Sequence, residues 1–339
     1  MLIYVGSYTP EADGKGTGIS VWDAQLRPAA PTVALAAPSW LVAHPTAAVL
    51  YAVSELEIGT VTALSIAPDG TLTPQARQPT DGAAPCHLDI TPDGRYLLCA
   101  NYGSGSVTVL AVDDDGTLAA PTDLVHHHGC GPDPERQDGP HAHQVVTSGA
   151  PGTDVTAVDL GTDTLYGYRL GADGRLAPSW ETGAGAGIGP RHLVTAPTGR
   201  LYVTDELSST VSVYDPDPAT GGLRLVQRRP ATLTPPTERN YPAEIALSAD
   251  GRFVYVGNRG NDTVTTFAVD GEGLTGVDET PCGGRWPRHL VLDGDLMYVA
   301  NQNSHTVAVL RIDPGTGVPS LTGARIDVPS PACILIHRP

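Results

Sequence analysis

Two Arg-His pairs, Arg191-His192 and Arg288-His289, each directly follow a proline, and Arg259 follows a Tyr-containing apolar run. Guanidinium forks hold carboxylate and phosphate oxygens bidentately. Three of them at related positions, in a chain of formal net charge −17, point to a local anion site. His143, Glu206 and Glu244 add groups that surroundings can tune to take or give a proton near neutrality. The set suits an anionic substrate whose carbonyl oxygen gains negative charge during reaction.

Residues 143 to 289 can meet only if a repeat brings them together, and the chain has one. Pro-x-x-apolar recurs at Pro38, Pro85, Pro190, Pro242, Pro287 and Pro331, and Pro140-His-Ala-His143 fills the gap, with steps of 44 to 55 residues. Each copy passes through a Gly-type turn into a Tyr strand such as Leu50-Tyr-Ala-Val53 or Val254-Tyr-Val256. A third alternating strand and a weaker fourth follow. Four short strands per repeat of this length mark a propeller blade, so the fold expected is all-β: one seven-bladed β-propeller domain over residues 1–339. The seventh Pro element has no Tyr strand after it. The missing piece stands at the other end, in Leu2-Ile-Tyr-Val-Gly-Ser7, so the N-terminal strands should close the ring on Cys333–His337.

Within a blade, the start of the first strand and the end of the second share one face near the axis. Residues just after each Pro and just after each Tyr strand should therefore converge. Ser7, Ser54, Asn101, Asp205, Asn258 and Asn301 form a turn-making column with a structural reading. The next column holds Tyr8, Glu55, Tyr102, Glu206, Arg259 and Gln302, and a recurring turn needs neither the Arg nor the Glu. Glu55 reads more readily as a solvated loop charge. In the third blade His143 stands at a site that is apolar elsewhere, or falls into the His column after a register shift. The expected pocket holds His143, Arg191, Glu206 and Arg259 as catalytic residues, with His192, Glu244, Arg288 and His289 touching substrate.

Other features exclude more than they suggest. The acidity speaks against nucleic acid or an anionic membrane as partner. Lys15 is the sole lysine, which removes Schiff-base and P-loop lysine chemistry. Five cysteines without a CxxC pair, no signal-like start and no membrane-length apolar run lead to an expectation of a cytoplasmic protein. His126–His128 with Cys130, or His141 with His143, are the only metal-like groupings, and they lack a fixed carboxylate partner; neither metal nor cofactor is expected. Gly183-Ala-Gly-Ala-Gly-Ile-Gly189 mimics a phosphate loop but leads into a strand. The polar insertion from Leu124 to Gly139 reads as a long loop over the channel mouth.

The segments YVGSYT, PCHLDITPDGRYLLCANYGSGSV, GPHAHQV, GPRHLV, LYVTDELSSTV, PAEIALSADGRFVYVGNRG and WPRHLVLDGDLMYVANQNS resemble the lactonase family of seven-bladed propellers across essentially the whole chain. That family includes one type of 6-phosphogluconolactonase and carboxymuconate-cyclising enzymes. The resemblance implies that His143, Arg191, Glu206 and Arg259 match the family's proposed catalytic set, that no metal is needed, and that a small anionic lactone is the substrate. Hydrolysis of 6-phosphogluconolactone is the function it suggests, with Glu206 or His143 as general base. A cycloisomerase and a non-catalytic scaffold are the alternatives, because fold alone does not decide function.

Overall fold

Alternating apolar strands separated by Gly- and Asp-rich turns cannot bury both faces alone, and here they stack as seven four-stranded antiparallel sheets. The computed structural model describes residues 1–148, 154–271 and 273–338. The sole helical element among them is a 3-10 turn at Pro10–Ala12, so no described helix is long and apolar enough to cross a membrane.

Closure follows the sequence reading. Leu2–Ser7 pairs antiparallel with Pro331–His337, from Leu2 opposite His337 to Gly6 opposite Cys333, and the sheet continues outward through Ile19–Asp23 and Pro28–Val33. The first and last strands thus belong to one blade, and the C-terminal strand has the N-terminal one as its ladder partner.

The Tyr strands explain the unusual preference for Tyr over Phe, twelve against two. Tyr4, Tyr51 and Tyr255 are fully buried between blades, and each hydroxyl donates to a turn carbonyl roughly one repeat ahead. The acceptors are Gly70 at 3.2 Å, Gly116 at 2.7 Å and Gly317 at 3.0 Å. These glycines sit at positive φ in the turn before the fourth strand. A Phe would fill the same volume but leave a buried carbonyl without its donor, so the repeat keeps the ring with the polar tip.

Candidate active site

The device that aims the central side chains is a β-bulge at the head of the inner strands. Pro85 pairs with Asn101 and His87 with Ala100, so Cys86 is left outside the ladder. Arg191 is extruded in the same way between Pro190 and His192, and Arg288 between Pro287 and His289. A bulged residue escapes strict in-out alternation and can be turned toward the axis. In the third blade Ala142 takes the proline's place and His143 takes the bulge, with Gln144 the next paired residue. His143 therefore belongs with Cys86, Arg191 and Arg288. Neither alignment expected from the sequence holds, because the match runs from Ala142 and not from Pro140.

The bulged residues and the ends of the Tyr strands meet in a cavity of about 350 Å³, lined by His143, Glu206, Arg259, Arg288 and, from the long insertion, Arg136. Glu206 is its electrostatic centre. Arg136 Nη2 donates to Oε1 at 2.7 Å, Arg259 Nη2 donates to Oε2, and Arg191 Nε lies 3.0 Å from Oε2. Burial works against ionising Glu206, but Arg259, Arg191 and Arg136 outweigh it and hold the carboxyl well below its usual range. Such a carboxylate is a fixed counter-charge and a poor proton acceptor. Arg288 forms no ion pair among the described residues; its guanidinium lies 4.8 Å from the Tyr8 ring centroid. The cavity thus carries surplus positive charge in an acidic protein.

Burial, then Arg191 and His192, push the His143 imidazole well below its ordinary pKa, so it is neutral at physiological pH. Its Nδ1 stands 4.0 Å from Cys86 Sγ, whose own thiol burial pushes up. Arg191 is pulled down to about 9, first by burial and then by Arg259, and stays protonated at neutral pH. Its Nη1 is buried without a hydrogen-bond partner among the described residues, an unusual cost that a substrate oxygen would relieve.

The remaining expected residues lie deeper. Trp40, His87, His192 and His289 form a waist of aromatic rings, with the Trp40 centroid 4.1 Å from His87 and 5.0 Å from His289. Glu244 accepts from His192 Nδ1 at 3.2 Å and faces His289 Nε2 at 3.5 Å. Glu244 and His289 open onto a second chamber of about 520 Å³ on the far side of the waist, which His87 also lines. The eight expected residues are therefore divided: His143, Glu206, Arg259 and Arg288 line the arginine cavity, Arg191, His192 and His289 lie at the waist, and Glu244 lines the chamber below it, onto which His289 also opens.

The insertion does reach over the mouth, as a pinned wall. His127 Nδ1 and Asp159 Oδ2 are 2.6 Å apart in the core, the Gln137 side chain donates to Leu160 O at 2.8 Å, and His141 stacks on Tyr102. In the Gly-rich run, Gly187 N and Gly189 N donate to the Asp163 carboxylate at 2.6 and 2.7 Å, so these amides hold the loop and are not open to a phosphate. No three His, Cys, Asp or Glu side chains among the described residues are gathered to hold a metal ion.

The model of the seven-bladed β-propeller lactonases matches residues 2–336. The chain belongs to that lactonase family. Its relatives include a 6-phosphogluconolactonase of Bacillus subtilis, 34% identical with 99% of this chain and 98% of the relative covered. A 6-phosphogluconolactonase of Formosa agariphila is 28% identical over 93% of each chain. Among solved structures, the periplasmic gluconolactonase of Pseudomonas aeruginosa superposes with a TM-score of 0.85 at 32% identity, covering 99% of both chains.

Within this lactonase-family chain, sequence reasoning passed over Arg136 and Trp286 and gave no site role to Tyr102 and Glu55, all four on the cavity wall. Arg136 lies in an insertion with no counterpart in the repeat, so column comparison could not reach it. Glu55 was in the right column but looked solvated.

Proposed function

We propose that the protein hydrolyses a small anionic sugar lactone, with 6-phosphogluconolactone as the substrate and 6-phosphogluconate as the product. The observation that carries this reading is the His143 imidazole lining one cavity with arginines that Glu206 holds in place. A lactone carbonyl seated against Arg259 and Arg191 would develop its oxyanion toward buried guanidinium groups that need no reorganisation. His143 takes a proton from the attacking water, then returns it to the ring oxygen as the acyl C–O bond breaks. Arg288, which forms no ion pair among the described residues, and Arg136 at the mouth hold the phosphate. Glu206 orients the guanidinium groups, and His192, Glu244 and His289 support Arg191 from below. The five cysteines are free thiols, which suits a cytoplasmic setting.

A pH-stat assay comparing 6-phosphogluconolactone, an unphosphorylated gluconolactone and a carboxymuconate tests the reading. Faster turnover of the phosphorylated lactone is expected. Conversion of the muconate alone would make the protein a cycloisomerase.

The pH profile provides a second check. Neutral His143 is the active form of the base, so activity is lost as pH falls through its pKa. Because burial and Arg191 depress that pKa, the acidic limb of kcat/KM should lie below the ordinary imidazole value of about 6.5. His143→Asn should abolish the limb and lower kcat, whereas a limb near 6.5 that survives His143→Asn would remove His143 from the role. Activity is also expected to survive exhaustive chelation, since the cavity's arginines repel a cation. Loss with EDTA and recovery with a divalent ion would overturn that.

A further inference from the structure

The residue before the proline that opens an inner strand adopts a left-handed backbone in blade after blade. Ala37, Ala84, Gly189 and Ser330 have φ of 44°, 48°, 62° and 48°. Four blades place a small residue there, as the sterics of positive φ favour. The sixth places Trp286 there, at φ 65°. The turn itself does not ask for a bulky side chain, and strain of this kind is kept where function uses the side chain.

Trp286 forms part of the arginine cavity's wall, half-buried, with Arg259 Cζ 5.6 Å from its ring centroid and Tyr241 at 5.8 Å. Its backbone is fixed at both ends: its N–H donates to Asp262 Oδ1 at 2.7 Å and its carbonyl accepts from Gln302 at 3.1 Å. The indole N–H donates to no described residue. Glu55 lines the same cavity. One of its oxygens accepts from Tyr8 Oη at 2.7 Å, and the other accepts no hydrogen bond from the described residues.

We infer that Trp286 and Glu55 are the specificity-determining side chains that select a polyhydroxylated ring. The indole offers an apolar face to the C–H side of a saturated sugar ring, while Glu55, held by Tyr8, accepts from ring hydroxyls. A carboxylated ring poor in hydroxyls would instead set a carboxylate against the Glu55 carboxylate and leave its free oxygen without a hydroxyl donor. This assignment rests on the lactone-hydrolase reading and deepens it by naming the side chains that recognise the sugar ring and its hydroxyls.

The test compares kcat/KM for glucono-δ-lactone with that for δ-valerolactone, which has the ring but no hydroxyls. Trp286→Gly suits a position of positive φ and should fold; Glu55→Gln keeps shape and loses charge. Each is expected to lower the glucono-to-valero ratio about tenfold, mainly through KM for the hydroxylated lactone. Ratios unchanged in both variants would overturn the inference even if wild-type hydrolysis is brisk. Should wild type hydrolyse neither these lactones nor 6-phosphogluconolactone, the hydrolase reading fails. The inference is then decided by tryptophan fluorescence with gluconate as probe, where a wild-type signal lost in Trp286→Gly supports it and no wild-type signal ends it.

Discussion

Replacing Arg259 with Ala is expected to lower kcat/KM for 6-phosphogluconolactone by about a hundred- to a thousandfold, the scale of losing one preorganised oxyanion donor. Arg259 ends the strand Phe253–Arg259, its Nε donates to Tyr241 O at 3.2 Å, and its Nη2 donates to Glu206. The guanidinium is thus aimed before substrate arrives. Most of the loss should fall on kcat, because the oxyanion exists only beyond the ground state. Arg259→Lys keeps a charge but cannot reach Tyr241 O and Glu206 together, so it should recover little of the loss. A Lys enzyme close to wild type would mean that Arg259 supplies only attraction. Arg136 and Arg191 still compensate Glu206 in these variants, so a collapsed fold is not expected; circular dichroism separates misfolding from lost chemistry. An Ala variant with wild-type kcat/KM would remove Arg259 from the reaction.

The ring and its closure were readable in the sequence because a propeller repeats its turns and apolar positions every blade, and the odd Tyr strand at Leu2–Ser7 had only one place to go. The column after the Tyr strands was readable for the same reason: Tyr8, Glu55, Tyr102, Glu206 and Arg259 are all at the arginine cavity or its floor. The bulge was not readable. It inserts a residue without changing the pattern of residue types, yet it takes Arg191 and Arg288 out of the ladder while His192 and His289 stay paired, and Arg288 lines the arginine cavity while His289 opens onto the far chamber. A single expected pocket therefore became two chambers divided by a waist. Arg136 was hidden for a different reason, since its position depends on tertiary contacts of Gln137 and His127 that no repeat encodes.

The bulge also bears on where catalytic side chains are tolerated. A bulged residue contributes nothing to the ladder, so its identity is free of strand-pairing demands, and Cys86, His143, Arg191 and Arg288 differ from blade to blade at that one position. The paired neighbours on either side keep the blade intact. A side chain at this position is thus placed where the fold is least sensitive to it, so replacing Arg191 or Arg288 is expected to leave the blades intact.

Deleting residues 1–9 should be far more damaging than any such substitution. The strand Leu2–Ser7 lies between Pro331–His337 and Ile19–Asp23 and hydrogen-bonds to both. Its loss leaves the inner strand of the last blade without its ladder partner and separates the outer strands from it. Ile3, Tyr4 and Val5 are fully buried, two packing toward the sixth blade and Tyr4 toward the first. At roughly 1.5–3 kcal/mol per large apolar side chain, their burial alone amounts to about 5–9 kcal/mol. That approaches the whole stability of an ordinary folded protein, about 5–15 kcal/mol. The deletion is therefore expected to lower Tm by well over 10 °C or to prevent folding. Removing only Arg338 and Pro339 should shift Tm by no more than a degree or two: Arg338 makes one exposed pair with Asp293, worth about 0–1 kcal/mol, and Pro339 lies outside the described residues. Thermal melts of the two truncations side by side decide the matter. Equal melting temperatures would mean that the ring does not depend on its N-terminal strand for closure.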